Sequence, residues 1–145
     1  MTEISKSRRY AISKKALQLF QKSELHGQVS NTLMENYGYV NDDLIWSLIC
    51  KVSNMTHGAK ERNALTGSPP PDFDVMYMLQ LYVEQNGKCY YNEWISLNVE
   101  FLDHRNMCGH SISMERLDPT KCYSRENVRF VVAILSKNPL GDLFK

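Results

Sequence analysis

Apolar residues return every three or four positions through much of the first half of the chain, and that spacing predicts helices there. Leu44, Ile45, Leu48, Ile49 and Val52 line one buried helix face, with Asn41 or Asp42 placed to accept from the free N–H groups at its start. Ala11, Leu17 and Phe20, with Ala16 beside Leu17, make a shorter stripe, and Val29, Leu33 and Met34 a further one that ends near Gly38. The pattern breaks at Thr66-Gly67-Ser68-Pro69-Pro70-Pro71, because three prolines in a row fit neither a helix interior nor a central strand. It restarts with Val75, Met78, Leu79, Tyr82 and Val83 on one helical face, and Asn86-Gly87 is a natural stop.

Beyond Gly87 the period changes. Residues 88–96 are short and aromatic-rich, as a strand or hairpin arm would be, and 98–110 read as a loop. Ser111 to Leu117 alternates like a strand and stops at Asp118-Pro119, before a turn at Thr120 to Tyr123. The run Val128, Phe130, Val131, Val132, Ala133, Ile134 and Leu135 reads as a buried helix, although its valines also allow a strand. The fold class expected is α+β, with a helical segment at 1–65, a proline-rich linker at 66–72 and a second unit at 73–145.

Composition narrows the classes. With 43% apolar and 23% charged residues, a chain disordered throughout is excluded. No run approaches the length of a membrane span. Residues 1–20 lack the apolar core and small-residue cleavage site of a secretory signal, so a cytosolic, nuclear or virion-associated protein is expected rather than a secreted one. Seventeen basic residues against sixteen acidic ones do not announce a nucleic-acid binder by total charge. Their distribution is less even, since residues 1–22 hold Lys6, Arg8, Arg9, Lys14, Lys15 and Lys22 against Glu3 alone. Cys50, Cys89, Cys108 and Cys122 form no C-x-x-C pair, so free thiols are expected and structural zinc is not.

One constellation carries chemistry. Gln85-Asn86-Gly87-Lys88-Cys89-Tyr90, Ser113-Met114-Glu115-Arg116-Leu117-Asp118-Pro119 and Tyr123-Ser124-Arg125-Glu126-Asn127-Val128 follow one another in a spacing that resembles the HNH family of ββα-metal nucleases. The subgroup it is similar to is common in phage and large DNA virus genomes. The resemblance spans residues 85–132 and implies an HNH-like ββα domain, a hairpin and then a helix gripping one Mg²⁺ or Mn²⁺ ion. It puts Glu115 at the metal-binding acid, Asp118 at the subgroup's extra acid, Arg116 where relatives carry the catalytic histidine, and Asn127 at the orienting asparagine close to it. Asn138 falls near a further metal position as a weak oxygen ligand.

Arginine cannot act as a general base at neutral pH, although it can clamp a phosphate. The base would then come from His110 or, next in order, His104, whose ordinary pKa suits proton transfer. Lys121, Arg125 and Arg129 lie where DNA backbone contacts are expected, the last two sharing a face of the expected helix, whose N-terminal N–H groups would also favour phosphate. Tyr77, Tyr90 and Tyr91 read as packing residues rather than base-stacking platforms, and Trp94 as part of the hairpin's packing. Two readings follow. One is a metal-dependent DNA endonuclease hydrolysing phosphodiester bonds, with a homodimer implied if both strands are cut. The other is a catalytically inactive HNH-derived nucleic-acid-binding or virion-associated structural protein.

Overall fold

The computed structural model of the protein describes residues 14–100 and 109–136. His104, Cys108, Asn138 and the basic residues Lys6, Arg8 and Arg9 lie outside them. Among the described residues four helices come first: α1 (Lys14–Gln21), α2 (Glu24–Tyr37), α3 (Asp42–Leu65) and α4 (Val75–Glu84). Strands β1 (Lys88–Cys89), β2 (Asn92–Ser96), β3 (Ile112–Arg116) and β4 (Val128–Val132) follow, and a 3₁₀ turn occupies Ala133–Leu135.

The helix starts are set by local chemistry. Asn41, rather than Asp42, caps α3, its Oδ1 accepting from the Leu44 N–H at 2.8 Å. Asp42 and Asp43 then place negative charge in the first turn, where the helix dipole favours it. Asp74 caps α4 in the same way through the Tyr77 N–H at 2.9 Å. Helix α2 ends at Gly38, whose φ of 78° is open to glycine at no steric cost. The apolar stripe of α3 is buried as expected, and the helix runs well past it to Leu65, carrying Ala59 and Asn63 into the interior.

The fold is α+β, helices packed with two small antiparallel sheets, one of β1 and β2 and the other of β3 and β4. A single apolar cluster holds Phe20, Leu33, Leu48, Met78, Tyr82, Leu97 and Phe130 together, so all four helices and the β segment share one interior. Among the described residues no helix is long and apolar enough to cross a membrane.

The expected helix over 128–135 is corrected. Val128–Val132 is a strand, paired antiparallel with β3 in the register Ile112↔Val132, Met114↔Phe130 and Arg116↔Val128. A continuous apolar run has no period by which to tell helix from strand, and here β-branched residues and a waiting partner strand decide it. Arg125 and Arg129 therefore share no helix face, and there is no helix N-terminus at Ser124–Asn127 to receive phosphate.

The other edge of β4 is also occupied. Phe130 turns its N–H and carbonyl away from β3, and the Gln85 side chain answers both, Oε1 accepting at 3.0 Å and Nε2 donating at 2.9 Å. The Tyr90 N–H donates to the same carbonyl at 3.0 Å. The Val132 N–H donates to the Cys89 Sγ at 3.4 Å. Cys89 is thus the small buried residue expected of it, at 3% exposure.

Candidate functional site

The residues singled out from sequence gather around the β3–β4 hairpin and its connection. Glu115 faces inward at 2% exposure. Tyr91 donates its hydroxyl to Oε2, and the Ser136 hydroxyl donates to Oε1 at 3.0 Å. Burial, and then the bond to Glu115, push the Tyr91 hydroxyl far above the ordinary tyrosine range, so it remains a donor at any physiological pH. The carboxylate of Glu115 is a structural acceptor inside the fold.

Asp118 opens the connection and folds onto it. Its Oδ1 accepts from the Thr120 N–H at 2.9 Å and the Thr120 hydroxyl at 2.6 Å. These two bonds, with a smaller contribution from Lys121, hold its pKa below the ordinary carboxylate value. The sign follows directly. A depressed folded pKa stabilises the turn fully above the unfolded value of about 3.9 and loses that contribution as pH falls through the lower folded value. Asp118→Asn is expected to flatten the acid limb of a urea stability profile below about pH 4. The same acid limb in the variant and the wild type would show that the Thr120 bonds do not favour the charged form.

Asn127 precedes a strand rather than a helix, and it organises the turn. Its Oδ1 accepts from the Asp118 N–H at 2.8 Å, while Nδ2 donates to the carbonyls of Asp118 and Cys122, each at 3.0 Å, and lies 3.4 Å from that of Lys121. Arg116 Nη1 reaches the same Lys121 carbonyl at 3.3 Å, so Arg116 and Asn127 do come together as expected.

The metal site implied by the resemblance is corrected. Among the described residues no group of three or more His, Cys, Asp and Glu side chains stands together to hold a metal ion. The cause is visible at both acids: Glu115 turns into the interior and Asp118 closes its own turn. The Mg²⁺ or Mn²⁺ cofactor, and with it the metal-dependent endonuclease, are withdrawn on this finding. His110 is half-buried beside β3, where its carbonyl accepts from the Asn98 N–H at 3.0 Å.

The cationic residues take other positions than a helix would give them. Lys121 and Arg125 are exposed. Arg125 is fixed to the linker, its N–H donating to Asp72 Oδ1 at 2.7 Å and its Nε to the Asp72 carbonyl at 2.6 Å, with its guanidinium 4.6 Å over the Tyr77 ring. Arg129, opposite Glu115 on β4, lies over the Tyr90 ring at 5.5 Å. Tyr77 and Tyr90 thus serve as seats for arginine. Trp94 is not part of the packing expected of it, being 86% exposed.

Sequence reasoning missed Arg62 and Asn63, and it gave Tyr123 a place in the motif but no role. Asn63 is buried near the end of α3 and reads the backbone of Tyr123 both ways, Oδ1 accepting from its N–H and Nδ2 donating to its carbonyl, each at 3.0 Å. Arg62 and Arg116 approach the Tyr123 ring at 5.9 and 5.0 Å. The only local signal was an asparagine four residues before Gly67, which is too common at helix ends to single out. Comparisons with protein-family models, with curated proteins and with solved structures find no match for this chain.

Proposed function

We propose that this protein is a nucleic-acid-binding module, related to the HNH scaffold, that holds the phosphate backbone without cutting it. The observation that supports it best is a division of labour along one hairpin. The carboxylates of Glu115 and Asp118 are spent on internal hydrogen bonds, while Arg116, Lys121, Arg125 and Arg129 supply positive charge along the same stretch. The order of the three sequence motifs and the closeness of Arg116 to Asn127 support descent from the HNH scaffold. The phosphate contacts are electrostatic and read no sequence.

Fluorescence anisotropy with a labelled DNA duplex at a series of salt concentrations tests this. Binding should weaken linearly in log–log form as salt rises. Lys121→Gln and Arg125→Gln should each reduce the magnitude of that slope by about one. Supercoiled plasmid incubated with the protein and Mn²⁺ should remain uncut. Binding that ignores salt, or is absent at the lowest salt, would end the proposal.

A further inference from the structure

Helix α4, strands β1 and β2 and Arg129 of β4 line a cavity of about 710 Å³, a volume in the range of ligand pockets. Three aromatic rings stand in its walls: Tyr77, Tyr90 and Trp94. Two of them already carry a cation, since Arg125 lies over Tyr77 and Arg129 over Tyr90. Trp94 stands out into solvent, whereas Trp46, the chain's other tryptophan, is buried in the core. An indole is a large apolar surface, and left in water it forgoes the gain that burial would bring.

The charged groups of the lining balance, Lys88 and Arg129 against Glu84 and Glu93. Each cation is answered inside the fold, Lys88 donating to the Ser96 hydroxyl at 3.0 Å and Arg129 Nη1 to the Val128 carbonyl at 2.6 Å. Glu84 Oε1 accepts from the Gln80 amide at 3.3 Å. Such a lining does not ask for a charged ligand. A purely apolar one suits it no better, because it would cover those charges with nothing that can hydrogen-bond them. The group that fits is flat, uncharged and edged with donors and acceptors. The platform is also held in place. Lys88 pairs with Ser96 and Cys89 with Asn92 across β1 and β2, and the Trp94 N–H donates to Asn92 Oδ1 at 2.9 Å. A ring on a fixed strand binds with little further ordering of the backbone.

We infer that this cavity receives an unpaired nucleobase, stacked on the Trp94 indole. A base has a face for the ring, and N–H and carbonyl edges for the carboxylates and amides around it. In a duplex both faces are covered by neighbouring bases, so only an unpaired base can meet the ring. Arg129 belongs both to this lining and to the cationic stretch proposed above to meet the phosphate backbone, so a strand held along that stretch passes the cavity. This occupant rests on the function proposed above and narrows it to strands with unpaired bases.

Anisotropy with a short single strand of adenines, and with a strand of the same length built of abasic sites, tests this, because the two carry the same phosphates. The base-bearing strand should bind about tenfold more tightly, the size of one good stack. Trp94→Ala should remove that difference and leave the salt dependence unchanged, since no phosphate contact is lost. Trp94→Phe should keep part of the difference, and Leu65→Ala, at another exposed apolar residue on α3, should keep all of it. The unaltered protein gives a second readout. Its tryptophan emission should be quenched by the base-bearing strand and not by the abasic one, and the quench should vanish in Trp94→Phe. Equal affinity for the two strands with no quenching, or a preference for bases that survives Trp94→Ala, would overturn the inference. Loss of a dimer in Trp94→Ala, read by size-exclusion chromatography with affinity for the base-bearing strand unchanged, would give this face to a second copy of the chain and overturn it as well. Salt-dependent duplex binding alongside any of these failures would leave the proposed function standing, whereas no binding of duplex or of either strand would end both.

Discussion

Asn127→Ala is expected to lower the unfolding free energy by about 3 kcal/mol, since each buried polar group left without its partner costs about 1–3 kcal/mol. The side chain is 6% exposed and answers the N–H and carbonyl of Asp118 and the carbonyl of Cys122 at once. The turn cannot re-form these bonds internally, because they all converge on one amide. Water recovers part of the loss on the outer side of the turn, which keeps the expectation near 3 kcal/mol rather than at the sum of separate deletions. Asn127→Asp should be almost as damaging, since a carboxylate would set acceptor against acceptor at the carbonyls that Nδ2 now satisfies. Urea unfolding followed by far-ultraviolet circular dichroism gives the number. A loss under about 0.5 kcal/mol, the range of ordinary surface changes, would mean that the turn is held by Asp118 and Thr120 alone.

Gly87→Ala should cost a similar amount for a different reason. Gly87 sits at φ 67°, where a Cβ alone costs roughly 1–2 kcal/mol. That Cβ would also stand 2.5 Å from Asn36 Nδ2 and 2.9 Å from the Tyr82 hydroxyl. Asn36 cannot simply swing away, because Nδ2 donates to the carbonyls of Thr32 at 2.8 Å and Asn86 at 3.0 Å. Strain and displacement together should lower the melting temperature by on the order of 10 °C. The double variant Asn36→Ala with Gly87→Ala separates the two parts. The steric share should disappear in the cycle and the left-handed backbone share should remain. A melting temperature unchanged in Gly87→Ala would mean that the α4-to-β1 turn adopts another conformation.

What was legible in the sequence was whatever depends on neighbours a few residues apart. Asn41 stands just before an apolar period, and it caps as such residues do. The stripe from Leu44 to Val52 needs no knowledge of its partner to show that it has one. The chemistry of the hairpin was different. Glu115 reads as a ligand from its motif, and its fate is settled by Tyr91 and Ser136, each more than twenty residues away. Val128–Val132 became a strand because β3 was there to pair with it. Asn127 was picked out correctly as a residue close to Arg116, but its work is on backbone groups, which leave no mark on composition. Arg62 joined the site only because α3 runs three turns beyond its apolar stripe.

The grip of Gln85 on Phe130 bears on how the molecule behaves among copies of itself. Apart from Arg129, Val128–Val132 is apolar and mostly β-branched, the kind of segment that recruits strands from other chains when its rim lies open. A glutamine amide presents a donor beside an acceptor much as a peptide group does, so Gln85 stands in for a single residue of a neighbouring strand, while its second N–H donates to the Lys88 carbonyl. With the Tyr90 N–H on the same Phe130 carbonyl and the Cys89 Sγ on the Val132 N–H, the rim is closed by one backbone group and two side chains. The open side of β4 is therefore denied to a further strand mainly by one side-chain amide, in a place where a neighbouring strand would otherwise pair.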